Sequence, residues 1–206
     1  MPIETGKISL TNPQQKRGAK FARRYIEKRA FALTSPKIMA TVTFKGSPLE
    51  TVGTPPAVGQ KAPDFTLVGN DMSPVNLADS SGKIRVLSVV PSIDTPVCDI
   101  QTKRFNAQLD ELPENVVGYT ISVDTPMAQS RWCGAAGVEK MKLLSDYKGN
   151  TFGKDYGLYI DSIGLLARSV FILDGEGNVV YSQIVPEIAQ EPNYDEVLEK
   201  AKSLAA

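Results

Sequence analysis

One cysteine, Cys98, lies in a sequence context that favours thiol chemistry. It ends the run VVPSIDTPVC (residues 89–98), in which a buried strand and a short loop lead into the first turn of a predicted helix. The dipole and the unpaired backbone N–H groups of a first turn stabilise a thiolate. The Thr95 hydroxyl can point into the same pocket, and Pro91 and Pro96 stiffen the loop. The alternative is that Cys98 is simply a small buried apolar residue.

The residue types that the chain lacks narrow its chemistry further. The 206 residues include no histidine, which excludes a Ser-His-Asp triad, a Cys-His dyad and histidine metal ligation. The two cysteines cannot form a four-cysteine zinc or iron–sulfur site. The chemistry must therefore use cysteine, hydroxyl, carboxylate, lysine, tyrosine or arginine side chains.

Charge is distributed unevenly along the chain. Residues 1–38 carry nine basic and two acidic side chains, a net charge of +7, although the formal net charge of the whole chain is zero. Residues 39–206 are net acidic, which argues against a nucleic-acid-binding surface. No apolar run approaches the roughly 20 residues that a membrane-spanning helix needs. We expect residues 1–38 to be a basic extension, either disordered or upstream of an alternative start at Met39, and residues 39–206 to form one compact domain.

The apolar pattern predicts a mixed α/β sheet flanked by helices. Ile84–Val90 and Val116–Val123 are near-continuous apolar runs, as expected for central strands buried on both faces. Helices are predicted over Cys98–Leu109, Met127–Gly137 and Tyr194–Leu204. The shorter predicted strands are Thr41–Lys45 and Leu49–Val52, which form an N-terminal β-hairpin around Gly46-Ser47-Pro48, and Phe65–Val68, Val75–Leu77, Leu143–Leu144, Ser169–Leu173 and Val179–Ile184. The order of these elements is thioredoxin-like.

Three motifs together resemble those of the peroxiredoxins. The run PSIDTPVC (residues 91–98) is similar to the active-site motif P-x-x-x-T-x-x-C, and PSIDT is the form used by the bacterial thiol peroxidases of this family. The run AQSRWCG (128–134) resembles A-Q-S-R-F-C-G around the resolving cysteine of that subfamily, with Trp132 in place of Phe. The run LLARSVFILD (165–174) resembles the strand that brings in the active-site arginine. The resemblance extends from about Met39 to the C-terminal helix.

This resemblance implies a thioredoxin-like fold of the peroxiredoxin type and a role for five residues. Cys98 would be the peroxidatic cysteine, which attacks the peroxide O–O bond. Thr95 would orient the peroxide, Arg168 would hold the thiolate, and Pro91 would shield the pocket. Cys133 would be the resolving cysteine, which condenses with the Cys98 sulfenic acid to give an intramolecular disulfide. Such chemistry needs no bound cofactor and no metal, but it does need cations and hydrogen-bond donors around the developing oxyanion.

The activity that the resemblance implies is a thiol-dependent peroxidase for hydrogen peroxide and organic hydroperoxides. It also implies thioredoxin as the reductant, a homodimer and a cytoplasmic location. The alternative is a peroxide-sensing redox relay protein that uses the same disulfide, and turnover of hydroperoxide with a reductant separates the two. A thioredoxin-like disulfide oxidoreductase is disfavoured because the chain has no C-x-x-C motif.

Other interpretations of the same residues stay open on the sequence alone. Arg168 could be a surface strand arginine, and Arg131 is a second candidate for the active-site cation. Cys133 could be a static disulfide partner or an unrelated free thiol. Asp94 and Asp124 each precede a threonine and are expected to be turn residues rather than acid or base catalysts.

Overall fold

The structure is a computed structural model that describes residues 40–205. The basic extension predicted over residues 1–38 lies outside the described residues. The helices, named in chain order, are α1 (Pro96–Asp110), α2 (Pro126–Ala136), α3 (Thr151–Asp155) and α4 (Tyr194–Ala205). The strands are β1 (Thr41–Phe44), β2 (Ser47–Glu50), β3 (Thr66–Gly69), β4 (Pro74–Asn76), β5 (Ile84–Val89), β6 (Val116–Ser122), β7 (Met141–Ser145), β8 (Tyr159–Ile160), β9 (Leu165–Leu166), β10 (Ser169–Leu173) and β11 (Val179–Ile184).

Seven strands form the central mixed sheet, in the order β11-β10-β5-β6-β7-β3-β4. The three middle strands, β5, β6 and β7, run parallel to one another, whereas β10 and β3 are antiparallel to their neighbours. Helix α1 connects β5 to β6 and helix α2 connects β6 to β7, as parallel pairing requires. The thioredoxin-like α/β fold with an N-terminal hairpin is therefore confirmed.

The two faces of this sheet are covered by different elements. All six residues of β5 are buried, because Leu87 and Val89 face one core and Ile84 and Val86 face the other. The first core also contains residues of β1 and α3, and the second contains residues of α1 and α4, with α2 packed against it. The strand is therefore buried on both faces, as its continuous apolar run predicted, because a separate hydrophobic core lies on each face of the sheet.

Close packing of α1 on the sheet depends on Gly118 in β6. A Cβ atom at this position would collide with the side chains of Leu109 in α1 and Met141 in β7. Because Gly118 has no side chain, the end of α1 that carries Leu109 can pack close to β6.

The predicted turn of the N-terminal hairpin is wrong in register. The strands β1 and β2 are joined by the two residues Lys45 and Gly46, whose φ angles are 50° and 79°. Positive φ at both central residues is the requirement of a two-residue type I′ turn, which matches the twist of the paired strands. Pro48 therefore lies in β2 opposite Thr43 and not in the turn. A proline is tolerated there because β2 is an edge strand.

Smaller elements were not predicted from the sequence. They are α3, β8, β9 and a single 3₁₀ turn at Leu77–Ser80, where the predicted strand over Val75–Leu77 ends one residue early. None of the helices within residues 40–205 combines the length and the apolar character that crossing a membrane requires.

Candidate active site

Cys98 lies in the first turn of α1, as the sequence predicts. Thr95 is the N-cap residue, with φ −112° and ψ 147°, and Pro96 occupies the first helical position. Proline suits this position because its missing N–H would have no partner inside the helix. Cys98 is 0% exposed. Its sulfur is thus enclosed by protein at the end of a helix where the partial positive charge favours an anion.

The Thr95 hydroxyl contacts the Cys98 sulfur. Its Oγ1 lies 2.8 Å from Sγ of Cys98 and 3.0 Å from the carbonyl oxygen of Ser92. A hydroxyl group has one hydrogen and two lone pairs. It can therefore accept from a thiol while it donates to Ser92, or turn its hydrogen toward a thiolate. Thr95 suits both protonation states of the cysteine.

Arg168 brings a buried positive charge to the same sulfur. The residue directly precedes β10, is 2% exposed, and places Nη2 at 3.3 Å from Sγ of Cys98. No carboxylate within residues 40–205 forms an ion pair with it. Burying a cation without an anionic partner is costly, and here the uncompensated positive charge faces the Cys98 sulfur. The surface interpretation of Arg168 is wrong, whereas the side chain of Arg131 is 77% exposed and lies 3.9 Å from Asp94.

A glutamine that the sequence analysis missed holds the guanidinium in place. Oε1 of Gln101 accepts a hydrogen bond of 2.6 Å from Nη1 of Arg168, and its Nε2 donates to Oγ of Ser88 at 2.8 Å. The remaining guanidinium contact is from Nε to the carbonyl oxygen of Ile188, at 2.8 Å. Gln101 is three residues after Cys98, and residues at that spacing share one face of a helix. That spacing was the available signal.

Pro91, the fourth predicted residue of this pocket, lines a cavity bounded by the two residues that contact the Cys98 sulfur, although Cys98 itself is not part of the wall. The cavity has a volume of about 300 Å³ and includes Thr95 and Arg168 in its wall. The rest of the wall is largely apolar, formed by Phe44, Pro96, Val97, Ile163, Leu165, Ile188 and Ala189. Within the described part of the chain, no group of three or more Cys, Asp or Glu residues is arranged to hold a metal ion.

The loop before Cys98 is organised by Asp124, at the end of the neighbouring strand. Its carboxylate accepts hydrogen bonds from Oγ of Ser92 at 2.8 Å, from the backbone N–H of Ile93 at 2.7 Å and from Oγ of Ser122 at 2.7 Å. These bonds fix the loop between β5 and α1 to the end of β6. Asp124 therefore has a structural role, in agreement with the expectation that it is not an acid or base catalyst.

Cys133 lies on α2, and it does not line the pocket beside Cys98. Both cysteines are free thiols, Cys98 buried and Cys133 half-buried. The Nδ2 amide of Asn70, in the turn between β3 and β4, lies 3.5 Å from Sγ of Cys133. Burial raises the pKa of the Cys133 thiol, and the hydrogen bond from Asn70 partly offsets this effect. Cys133 also lines an open groove of about 420 Å³, through which it is accessible.

The sequence is similar to one protein family and, within it, to proteins named thiol peroxidases. The sequence profile of the family described as Redoxin matches residues 57–198. A thiol peroxidase of Bacillus subtilis is 51% identical over 166 residues, which cover 81% of this chain and 99% of that protein. A thiol peroxidase of Halalkalibacterium halodurans is 49% identical, over 80% of this chain and 99% of that protein.

Solved structures show the same similarity. The crystal structure of a peroxiredoxin-like protein from Aquifex aeolicus superposes with a TM-score of 0.76 at 40% identity, over 81% of this chain and 98% of that one. A thiol peroxidase from Chromobacterium violaceum has a TM-score of 0.73 at 22% identity, over 79% of this chain and 95% of that one. The second similarity concerns the fold alone.

Proposed function

This chain belongs to the redoxin family, among its thiol peroxidases, and from that premise we propose how its own residues reduce a peroxide. It is a thiol-dependent peroxidase of the peroxiredoxin type. The proposal assigns the nucleophile to Cys98 and the resolving thiol to Cys133. The observation that carries it is the convergence of the Thr95 hydroxyl and the Arg168 guanidinium on the buried sulfur of Cys98.

In the first step, the Cys98 thiolate attacks the terminal oxygen of a hydroperoxide. A sulfur–oxygen bond forms and the O–O bond breaks, so that the sulfur is oxidised by two electrons to a sulfenic acid. The leaving oxygen takes up a proton and departs as an alcohol, or as water when the substrate is hydrogen peroxide. Arg168 and Thr95 are placed to donate to the oxygens as negative charge develops on them. In this proposal Pro91, which lines the cavity, shields the reacting sulfur from water.

In the second step, the Cys133 thiolate attacks the sulfur of the Cys98 sulfenic acid. The two sulfurs form an intramolecular disulfide and hydroxide leaves, which becomes water on protonation. Thioredoxin then reduces this disulfide by two electrons through thiol–disulfide exchange, and both cysteines return to thiols. Organic hydroperoxides and hydrogen peroxide are both substrates in this scheme, and no cofactor or metal takes part.

The proposal also covers the cellular compartment and the oligomeric state of the enzyme. Because each cycle must end with two thiols, the protein requires a compartment that keeps thiols reduced, and we place it in the cytoplasm. We also propose that the enzyme is a homodimer, as the resemblance implies.

A peroxide consumption assay coupled to thioredoxin and its reductase tests the assignment of the two cysteines. In Cys98→Ser, consumption should fall almost to the uncatalysed rate because the attacking sulfur is gone. In Cys133→Ser, each chain should still reduce one peroxide rapidly, but thioredoxin-driven turnover should fall sharply. Mass spectrometry of the oxidised wild-type protein should show a bond between Cys98 and Cys133 within one chain.

Two results would contradict the assignment. Retention of a tenth of the wild-type rate by Cys98→Ser would move the chemistry to another residue. An intermolecular bond between two copies of Cys98 would exclude resolution within one chain. A third result, a single oxidation without turnover in the wild type, would leave the cysteine assignment unchanged and favour the redox relay over the peroxidase.

A further inference from the structure

The two helices that carry the cysteines are joined by a hydrogen bond between the residues next to them. Nε1 of Trp132 donates to Oδ1 of Asp99 at 3.1 Å. Asp99 follows Cys98 on α1, and Trp132 precedes Cys133 on α2. The bond thus connects the two segments that must meet when a disulfide forms.

Lys103 holds the carboxylate of Asp99 in this orientation. Its Nζ lies 2.8 Å from Oδ1 and 3.0 Å from Oδ2 of Asp99, one helical turn away on α1. The same Nζ lies 5.9 Å from the centre of the Trp132 ring, within the range of a cation–π contact. An exposed ion pair of this kind contributes little stability by itself. Its effect here is to restrict the rotamers of the acceptor.

The two cysteine sulfurs are not bonded to each other and have different partners. The Cys98 sulfur contacts Thr95 and Arg168, while the Cys133 sulfur contacts Asn70, on a separate turn. A disulfide bond requires Cα atoms within about 7 Å and Cβ atoms that point toward each other. Forming the bond would break the present contacts of both sulfurs, so we expect the first turn of α1, the end of α2, or both to rearrange. Such a movement carries Asp99 or Trp132 with it.

We propose that the hydrogen bond between Asp99 and Trp132 is a latch that sets the lifetime of the Cys98 sulfenic acid. This inference rests on the proposed function, in which Cys133 attacks that sulfenic acid. While the latch is closed, Cys98 keeps the geometry in which it reacts with peroxide. Opening the latch releases the segments that bring the two cysteines together.

The lifetime of the sulfenic acid determines how often the enzyme inactivates itself. A sulfenic acid that meets a second hydroperoxide before Cys133 arrives is oxidised by two further electrons to a sulfinic acid, and the hydroperoxide leaves as its alcohol or water. A strong latch therefore favours over-oxidation at high peroxide concentration, and a weak latch favours disulfide formation. Asp99 and Trp132 are positioning residues for the resolving step and have no contact with the peroxide.

Rapid-quench mass spectrometry tests the latch by measuring the rates of sulfenic acid formation and of disulfide formation separately. Trp132→Phe keeps an aromatic ring but removes the N–H donor, and Asp99→Ala removes the acceptor. Each should accelerate disulfide formation roughly three- to tenfold, the factor that corresponds to one partly exposed hydrogen bond. Each should leave the rate of sulfenic acid formation unchanged and should lower the fraction of sulfinic acid formed per turnover. The double variant should be no faster than either single variant, because both remove the same bond.

Asp110→Ala is the matched control, since it removes the exposed ion pair with Lys140 at the other end of α1, where the two charged atoms lie 2.9 Å apart. It should leave the disulfide rate unchanged. If Trp132→Phe does not fold, as judged by its thermal unfolding midpoint, Asp99→Ala alone decides the question. An unchanged or slower disulfide rate in Asp99→Ala would overturn the latch, as would additive effects in the double variant.

Failure of the latch and failure of the proposed function give different results. If Cys133→Ser sustains thioredoxin-driven turnover in an otherwise unaltered chain, the resolving role itself is wrong. If Cys133 is required but the disulfide rate does not respond to Asp99 or Trp132, only the latch is wrong.

Discussion

Oε1 of Gln101 accepts a hydrogen bond of 2.6 Å from Nη1 of Arg168, so a neutral amide and not a carboxylate orients the guanidinium beside Cys98. An amide fixes the direction of the guanidinium without neutralising its charge. The full positive charge of Arg168 therefore remains for the Cys98 sulfur and, in the proposed mechanism, for the oxygens of the peroxide. Gln101 is itself held by Ser88 in the central strand β5, so the sheet determines the position of the cation.

Replacing Gln101 should slow the first oxidation step. In Gln101→Leu, Arg168 loses one of its three orienting contacts, and we expect the second-order rate constant for peroxide to fall by about tenfold, in keeping with one hydrogen bond to a charged group. Gln101→Glu keeps an acceptor oxygen but places a negative charge against the guanidinium, so its rate constant should also fall, because the charge of Arg168 is then partly neutralised. Stopped-flow measurement of sulfenic acid formation compares the three proteins. Equal rate constants for Gln101→Leu and the wild type would show that Arg168 needs no such support.

Asn70 should control the acidity of Cys133, the proposed resolving thiol. Burial raises the pKa of Cys133, and the amide of Asn70 lowers it by donating to the charged form. Removing the donor in Asn70→Leu should therefore raise the pKa further. In a Cys98→Ser background, the pH dependence of Cys133 alkylation by iodoacetamide reports this pKa. Its midpoint should lie above the usual value of about 8.5 for a thiol and move to higher pH in Asn70→Leu.

The control for this prediction is Ser73→Ala, which alters the same turn without touching the bond between the amide and the sulfur. Its alkylation midpoint should match that of the parent protein. A midpoint for Asn70→Leu equal to or below that of the parent would show that the amide does not stabilise the thiolate.

Disulfide formation should loosen the segments around the cysteines. Cys98 is buried in an intact first turn, and Cys133 is held on another helix, so bonding requires local rearrangement. Amide hydrogen exchange in residues 96–104 or 130–137 should be faster in the disulfide form than in the reduced form. Equal protection of both segments in the two redox states would mean that the cysteines are already aligned.

The basic extension should be dispensable for folding and catalysis. Residues 1–38 have a net charge of +7, and the pattern of a compact domain begins at Met39. Removing residues 1–38 should leave the thermal unfolding midpoint and the peroxidase rate nearly unchanged. Calorimetry and the coupled assay on both chains provide the comparison. A large loss of either property would show that residues 1–38 contribute to folding or to catalysis.

The sequence predicts the parts of the fold in which pattern and packing agree. The strands Ser169–Leu173 and Val179–Ile184 are found with the predicted bounds, and the buried strand at Ile84 differs only at its last residue. The hairpin turn could not be predicted, because Lys45 adopts a positive φ that its side chain does not favour. Helix α3 was missed because five residues are too few for a periodic pattern to emerge.

The candidate active site was also only partly predictable from the sequence. The motif around Cys98 leads to Thr95 and Pro91, because proximity in sequence there produces proximity in space. Gln101 and Asn70 carry no motif of their own, and their contacts depend on how α1 and the β3–β4 turn pack. Trp132 was recognised only as a conservative replacement for Phe, although the indole N–H that distinguishes the two side chains makes the contact with Asp99.

The strand β6 lies between α1 and α2 along the chain and at the centre of the sheet. A bond between Cys98 and Cys133 would therefore close a covalent ring that contains an entire central strand. Such a ring of about 35 residues restricts the denatured chain by roughly 4 kcal/mol at room temperature on the chain-entropy account. Oxidation would then loosen the helix ends while it makes complete unfolding harder. Each catalytic cycle would accordingly exchange local order for global resistance to denaturation, and reduction by thioredoxin would reverse that exchange.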